Sequence, residues 1–179
     1  MLAMRLLPLA AFLCATAAFA QSPQPAAPAK PPCQDESSRQ FDFWIGDWDV
    51  FLPNGRQAGT NRIATLFGGC VLHENWKTPR FEGQSFNRYD ASRQVWHQTW
   101  VDSSGNLLLL EGRLDGGAMV MSDASLPGKR DPDSLNEIRW SRNEDGSVRQ
   151  LWRASKDGGK TWTVAFDGKY VRSARPQPK

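Results

Sequence analysis

Glu74 is the residue in this chain best placed by its neighbours to move a proton. In Leu72-His73-Glu74-Asn75-Trp76 an extended backbone sets its carboxylate on the same face as Leu72 and Trp76. Apolar surroundings favour the neutral form of a carboxyl, the form a proton donor needs. The same alternation groups Ser85, Asn87 and Tyr89, places Gln98 between Trp96 and Trp100, and sets Gln150 beside Trp152. Glu74, Asn87, Gln98 and Gln150 are thus candidates to orient a small molecule, with Trp76, Tyr89, Trp96, Trp100 and Trp152 enclosing it. The first chemistry this implies is binding of a small, partly apolar molecule in an aromatic cavity of ~300 Å³ or more. The second is proton transfer by Glu74, in isomerisation or hydrolysis, with no metal and no cofactor. A third reading is a scaffold or partner-binding protein whose interior is filled, its polar groups bonded to one another.

Other residue patterns lead to structural roles. His73 and His97 alternate away from the Trp-bearing faces and are expected on the outer surface. No serine sits in a nucleophile-elbow setting. Ser155-Lys156-Asp157-Gly158-Gly159-Lys160-Thr161-Trp162 fits the Asp-box pattern S-x-D-x-G-x-T-W, in which the aspartate accepts turn N–H bonds and the tryptophan packs under a hairpin. Gly159-Lys160-Thr161 mimics the end of a phosphate loop, but Ala154 stands where that loop needs its first glycine. Asp131, Asp133, Asn136 and Glu137 lack the spacing of a calcium loop and read as an acidic loop.

Strands must position all of these groups. The stretch Phe41-Asp42-Phe43-Trp44-Ile45-Gly46-Asp47-Trp48-Asp49-Val50 reads as the first, with Trp44, Gly46, Trp48 and Val50 on one face and Trp48 plugging one end of a closed sheet. Further strand signals cover Gln57 to Phe67, Cys70 to Lys77, Gly83 to Asp90, Gln94 to Asp102, Asn106 to Leu114, Ala118 to Ser122, Leu135 to Arg142, Ser147 to Ala154 and Thr161 to Val171. Turn chemistry separates them, including Asn54-Gly55, Gly68-Gly69, Ser104-Gly105 and Gly116-Gly117, at hairpin lengths. The loop from Ser125 to Ser134 is the longest connection, and Asp35 to Gln40 can give one helical turn. Closure removes exposed sheet edges, so the economical arrangement is a single antiparallel up-and-down β-barrel of about eight to ten strands, with a sandwich as the alternative. Inward faces are expected to carry Leu108 and Leu110, Ile138 and Trp140, and Trp162, Val164 and Phe166.

The start of the chain carries an export signal. Arg5, the apolar run Leu6 to Leu13 and Ala18-Phe19-Ala20 form the three parts of a signal peptide over residues 1–20, cleaved after Ala20. Cys14 lacks the flanking pattern of a lipidated cysteine. Removal of 20 of the 179 residues leaves 159, enough for one domain. Residues 21–32 form a Pro/Ala-rich linker, residues 33–172 the folded domain, and residues 173–179 a polar tail. Loss of Arg5 leaves 21 Lys+Arg against 19 Asp+Glu, interspersed without a basic run, so nucleic acid is not an expected partner. No later apolar run is long enough to cross a membrane, and the periplasm or the exterior is the expected location. In that compartment Cys33 and Cys70 are expected to form a disulfide.

Gly46-Asp47-Trp48 resembles the G-x-W signature of lipocalin-like (calycin-type) barrels. That resemblance implies a basic residue covering Trp48 from the last strand, and Arg172 is placed to supply it. The strings FDFWIGDWDV, GGCVLHENW, GQSFNRYD, VWHQTWVDSSG and SVRQLWRASKDGGKTW are together similar to an uncharacterised family of secreted bacterial proteins, a domain of unknown function. The likeness spans Phe41 to Arg172 and implies the barrel fold without an activity. Nitrobindins, a related barrel group, hold haem through a histidine near the chain's end; the last strand here has none.

Overall fold

The computed structural model describes residues 31–127 and 133–174. The signal peptide expected over residues 1–20 lies outside the described residues, as do most of the expected linker, Asp131 and the last part of the tail. Among the described residues, ten strands form one closed antiparallel barrel in which each strand pairs with its sequence neighbours and the last returns to the first. They are β1 (Gly46–Phe51), β2 (Gln57–Leu66), β3 (Val71–Lys77), β4 (Glu82–Asp90), β5 (Val95–Asp102), β6 (Leu107–Asp115), β7 (Ala118–Ser122), β8 (Leu135–Arg142), β9 (Val148–Ser155) and β10 (Thr163–Arg172). Closure leaves no sheet edge unpaired. No described helix is long and apolar enough to cross a membrane.

Trp48 and Arg172 are direct cross-strand partners at the closing seam. The Arg172 guanidinium lies 4.0 Å from the centroid of the Trp48 ring and donates to Ile45 O at 2.7 Å. Trp48 is fully buried, and its indole N–H donates to Trp44 O at 2.8 Å. Gly46 explains the spacing of the motif. Its φ is +146°, and a Cβ there would stand 1.7 Å from Arg172 Nη1. Gly46→Ala should therefore displace the guanidinium from Trp48 and destabilise the fold by about 1–3 kcal/mol. The clash predicts coupling: in an Arg172→Ala background the same substitution should cost less, and additive losses in a urea-melt cycle would contradict the account.

The first strand is shorter than its sequence suggests. Phe41 to Trp44 do not extend; Trp44 N–H donates to Phe41 O at 3.1 Å and Ile45 N–H to Asp42 O at 3.0 Å, closing a 3₁₀ turn over Asp42–Trp44. In such a turn residues three apart lie above one another. Phe41 and Trp44 consequently stack at 4.9 Å and enter the barrel together. The preceding helix, α1 (Glu36–Arg39), is capped by Asp35, whose carboxylate accepts from Ser38 N–H. Cys33 and Cys70 form a disulfide that fastens this segment to the β2–β3 connection. Arg39 donates to Gly69 O and Gln34 to Gly68 O, each at 3.2 Å.

Candidate functional site

The barrel interior is divided along its axis. The half beneath α1 is packed with Phe41, Trp44, Trp48, Trp96, Trp140, Met119 and Met121, all buried. The half toward the β1–β2, β3–β4 and β5–β6 turns holds a cavity of about 740 Å³. Trp76, Trp100, Trp152, Phe166, Leu108 and Ile138 contribute its apolar wall, and Glu74, Gln98, Gln150 and Tyr170 its polar groups. Leu52, Arg56, Thr78, Phe81 and Asn106 line it from those turns and Asp102 from the end of β5, which places its mouth at that end.

Glycines make room for the aromatic wall. A Cβ on Gly83 would lie 2.3 Å from the Trp100 ring, one on Gly59 2.9 Å from Trp76, and one on Gly168 2.5 Å from Phe166. Three rings thus lie against bare backbone on a neighbouring or nearby strand position, leaving the centre open. Two indoles are also fixed by hydrogen bonds. Trp100 Nε1–H donates to Asp102 Oδ2 at 3.1 Å. Trp152 Nε1–H donates to Asn136 Oδ1 at 2.9 Å, and Asn136 Nδ2 in turn donates to Asp123 Oδ2.

A chain of hydrogen bonds crosses the floor between the two halves. Gln98 Nε2 donates to Asn87 Oδ1 at 2.8 Å, Asn87 Nδ2 to Ser85 Oγ at 2.8 Å, and Ser85 Oγ–H to Glu74 Oε2 at 2.6 Å. From the other side Asn61 Nδ2 donates to Glu74 Oε1 at 2.7 Å and lies 3.4 Å from the Tyr170 hydroxyl. Tyr170 donates to Gln150 Oε1. Glu74 is 4% exposed. Burial pushes its carboxyl up to about 7, against the opposing pull of Ser85 and Asn61. A carboxyl so placed both donates and accepts a proton near neutral pH. Burial, and then the charge of Glu74, raise Tyr170 well above the ordinary phenol range, which keeps it neutral.

Of the residues expected to enclose a ligand, Glu74, Trp76, Gln98, Trp100, Gln150 and Trp152 meet at the cavity. Asn87 lies one step below, bonded to Leu72 O and Ser85. Trp96 packs in the filled half against Phe41, with Tyr89 against it. Trp162 and Val164 do not face inward. An extra residue, Ala165, sits between Val164, opposite Arg153, and Phe166, opposite Trp152. That bulge reverses the alternation, so Val164 is 62% exposed while Phe166 joins the wall. The sequence does not single out Asn61 or Tyr170, and it places Asn136 in an acidic loop, whereas Asn136 lies on β8 and its side chain holds the Trp152 indole. Continuing the alternation from Phe166 reaches Tyr170, and stepping back from the apolar Ile63 reaches Asn61.

The remaining motifs are structural in geometry. In the Asp-box turn Asp157 accepts from Thr161 N–H at 2.8 Å, Ser155 Oγ accepts from Gly159 N–H, and Trp162 Nε1–H closes onto Gly159 O. His73 stacks on Phe86 outside the barrel, and His97 bonds Glu111 and Thr99 there. Among the described residues no group of three or more His, Cys, Asp or Glu is positioned to hold a metal ion.

A closed antiparallel barrel of ten strands, sealed by a G-x-W tryptophan under a basic residue of the last strand, fits a lipocalin-like fold. No protein-family model matches the chain, and no curated protein matches it.

Proposed function

We propose that this protein is an exported binder of a small, partly apolar molecule and belongs with the uncharacterised family of secreted bacterial proteins that its sequence resembles. The observation that carries this reading is the cavity of about 740 Å³ with tryptophan walls. A ligand of modest size needs a lumen of about 300–1,000 Å³ with a few placed polar groups. Two polar atoms are left over for it: Gln98 Oε1 and Gln150 Nε2 carry no hydrogen bond to the described residues, whereas their partner atoms are used in the floor network. The disulfide agrees with the periplasm or the exterior as the site of action.

A ligand screen read by tryptophan emission tests the proposal, because Trp76, Trp100 and Trp152 border the lumen. Native mass spectrometry of protein from its own host provides the second readout. Binding should shift or quench the emission, and Ala58→Phe, which places a ring in the lumen away from the floor network, should weaken it by at least about tenfold. Unchanged affinity in Ala58→Phe would place the bound molecule elsewhere.

One observation favours an enzymatic reading as a second possibility: a cavity carboxyl poised near neutral pH is suited to acid–base work. Glu74→Gln separates the two. A proton-transferring Glu74 loses turnover entirely on substitution, whereas an anchoring one changes affinity alone.

A further inference from the structure

Resting on the binding reading above, we infer that the ligand presents an ammonium group to Glu74, with its carbon skeleton held between Trp76, Trp100 and Trp152. Glu74 is a buried carboxyl with no cationic partner among the described residues. Its hydrogen-bond partners are Asn61 from β2 and Ser85 from β4, and the network continues through Asn87 and Gln98 on one side and Tyr170 and Gln150 on the other, all neutral. His73, on the same strand, points outside. Among the described residues, Arg56 and Asp102 are the charged residues lining the lumen besides Glu74; Arg56 comes from the β1–β2 turn and Asp102 from the end of β5, both at the mouth. A buried charge with no counter-charge is costly, and a bound cation relieves that cost.

The surroundings suit a cation in a second way. Tryptophan faces attract positive charge, most strongly where water is excluded. Gln98 Oε1, a further acceptor lining the lumen, has no partner among the described residues. An anion would meet Glu74 with no cation beside it below the mouth. A neutral molecule would leave the carboxyl uncompensated or protonated. Burial holds Glu74 near 7, so an ammonium must displace its proton at acid pH, and affinity should fall as pH drops.

The test compares three probes of equal shape by calorimetry and tryptophan emission: phenethylamine, 2-phenylethanol and phenylacetate. At pH 8 phenethylamine should bind at least about tenfold more tightly than 2-phenylethanol, and phenylacetate most weakly. Between pH 8 and pH 5 the amine remains an ammonium, yet its affinity should drop by at least about tenfold as Glu74 takes up its proton. Glu74→Gln should remove that pH dependence and the preference for amine over alcohol; far-ultraviolet circular dichroism of the variant checks its fold. The alcohol or the carboxylate binding as tightly as the amine, or an amine affinity indifferent to pH and to Glu74→Gln, overturns the inference while leaving a binding cavity. Failure of all three probes while another ligand in the screen binds overturns the inference as well; a screen in which no ligand changes the wild-type emission removes the inference together with the binding reading.

Discussion

Glu74→Gln is expected to abolish a pH dependence of folding stability amounting to about 3 kcal/mol. In the folded protein burial holds the carboxyl near 7, whereas the unfolded chain returns it to an ordinary 4.5. Between those values the folded state carries a proton that the unfolded state lacks. Stability from this group is therefore complete below 4.5, falls as pH rises through 7, and is level above. At lower pH the sign reverses. Asp90, bonded to Ser92 and Arg93, Asp145, bonded to Ser147 and Lys169, and Asp157, bonded to Thr161, are all held below the usual carboxylate range. Their contributions fade as pH falls below 3.8. The wild-type protein should accordingly be most stable near pH 4.5–5, and urea melts from pH 4 to pH 8 measure this directly. The glutamine variant should fold, because Asn61 Oδ1 has no hydrogen-bond partner and a turned Asn61 amide presents it to the new N–H donor. Its stability should be flat between pH 5 and pH 8. A flat wild-type profile would contradict an uncompensated buried carboxyl.

Replacing both cysteines, as in a Cys33→Ser/Cys70→Ser variant, should lower stability by roughly 4 kcal/mol on the loop-entropy account, given a separation of 37 residues. For a domain of this size that corresponds to a fall in Tm on the order of 10 °C. The effect should also have a location. Without the bridge, α1 is tied to the β2–β3 connection by Arg39 and Gln34 alone among the bonds described above. Hydrogen exchange should then rise first at Phe41 to Trp44, ahead of the strands. Scanning calorimetry and exchange mass spectrometry measure the two parts separately. A loss below about 1 kcal/mol would mean that ring packing alone holds the segment.

Strand count and pairing were legible because hairpin turns announce themselves in Asn54-Gly55, Ser104-Gly105 and Gly116-Gly117, and a strand has a period of 2 whatever its partner. The pairing of Trp48 with Arg172 was implied by the resemblance of Gly46-Asp47-Trp48 to the G-x-W signature, and closure of the meander, which brings first and last strands together, agrees with it. The division of the interior was not legible. Trp96 and Trp100 share a face and differ by two repeats of the pleat, but the segment ending in Trp44 reaches the first and stops short of the second. How far such a plug penetrates depends on a 3₁₀ turn formed by three residues that equally suit a strand. The reversal at Ala165 was hidden for a related reason. A bulge is a property of the pair of strands, and Val164-Ala165-Phe166 alone gives no sign of which residue its partner will leave unmatched. The floor network brings Asn61 and Tyr170 together from positions 109 residues apart, a juxtaposition that only closure creates.

The chain joins and leaves the barrel at one pole. Cys33 is bonded beneath α1, and Ser173 N–H donates to Asp47 O beside the seam, while the open lumen faces the opposite turns. The molecule is built like a cup with both handles on its base. Whatever is attached near either handle, whether a fluorescent fusion, a biotin or a sensor chip, leaves the rim pointing outward, so immobilised copies would stand with their mouths toward the sample.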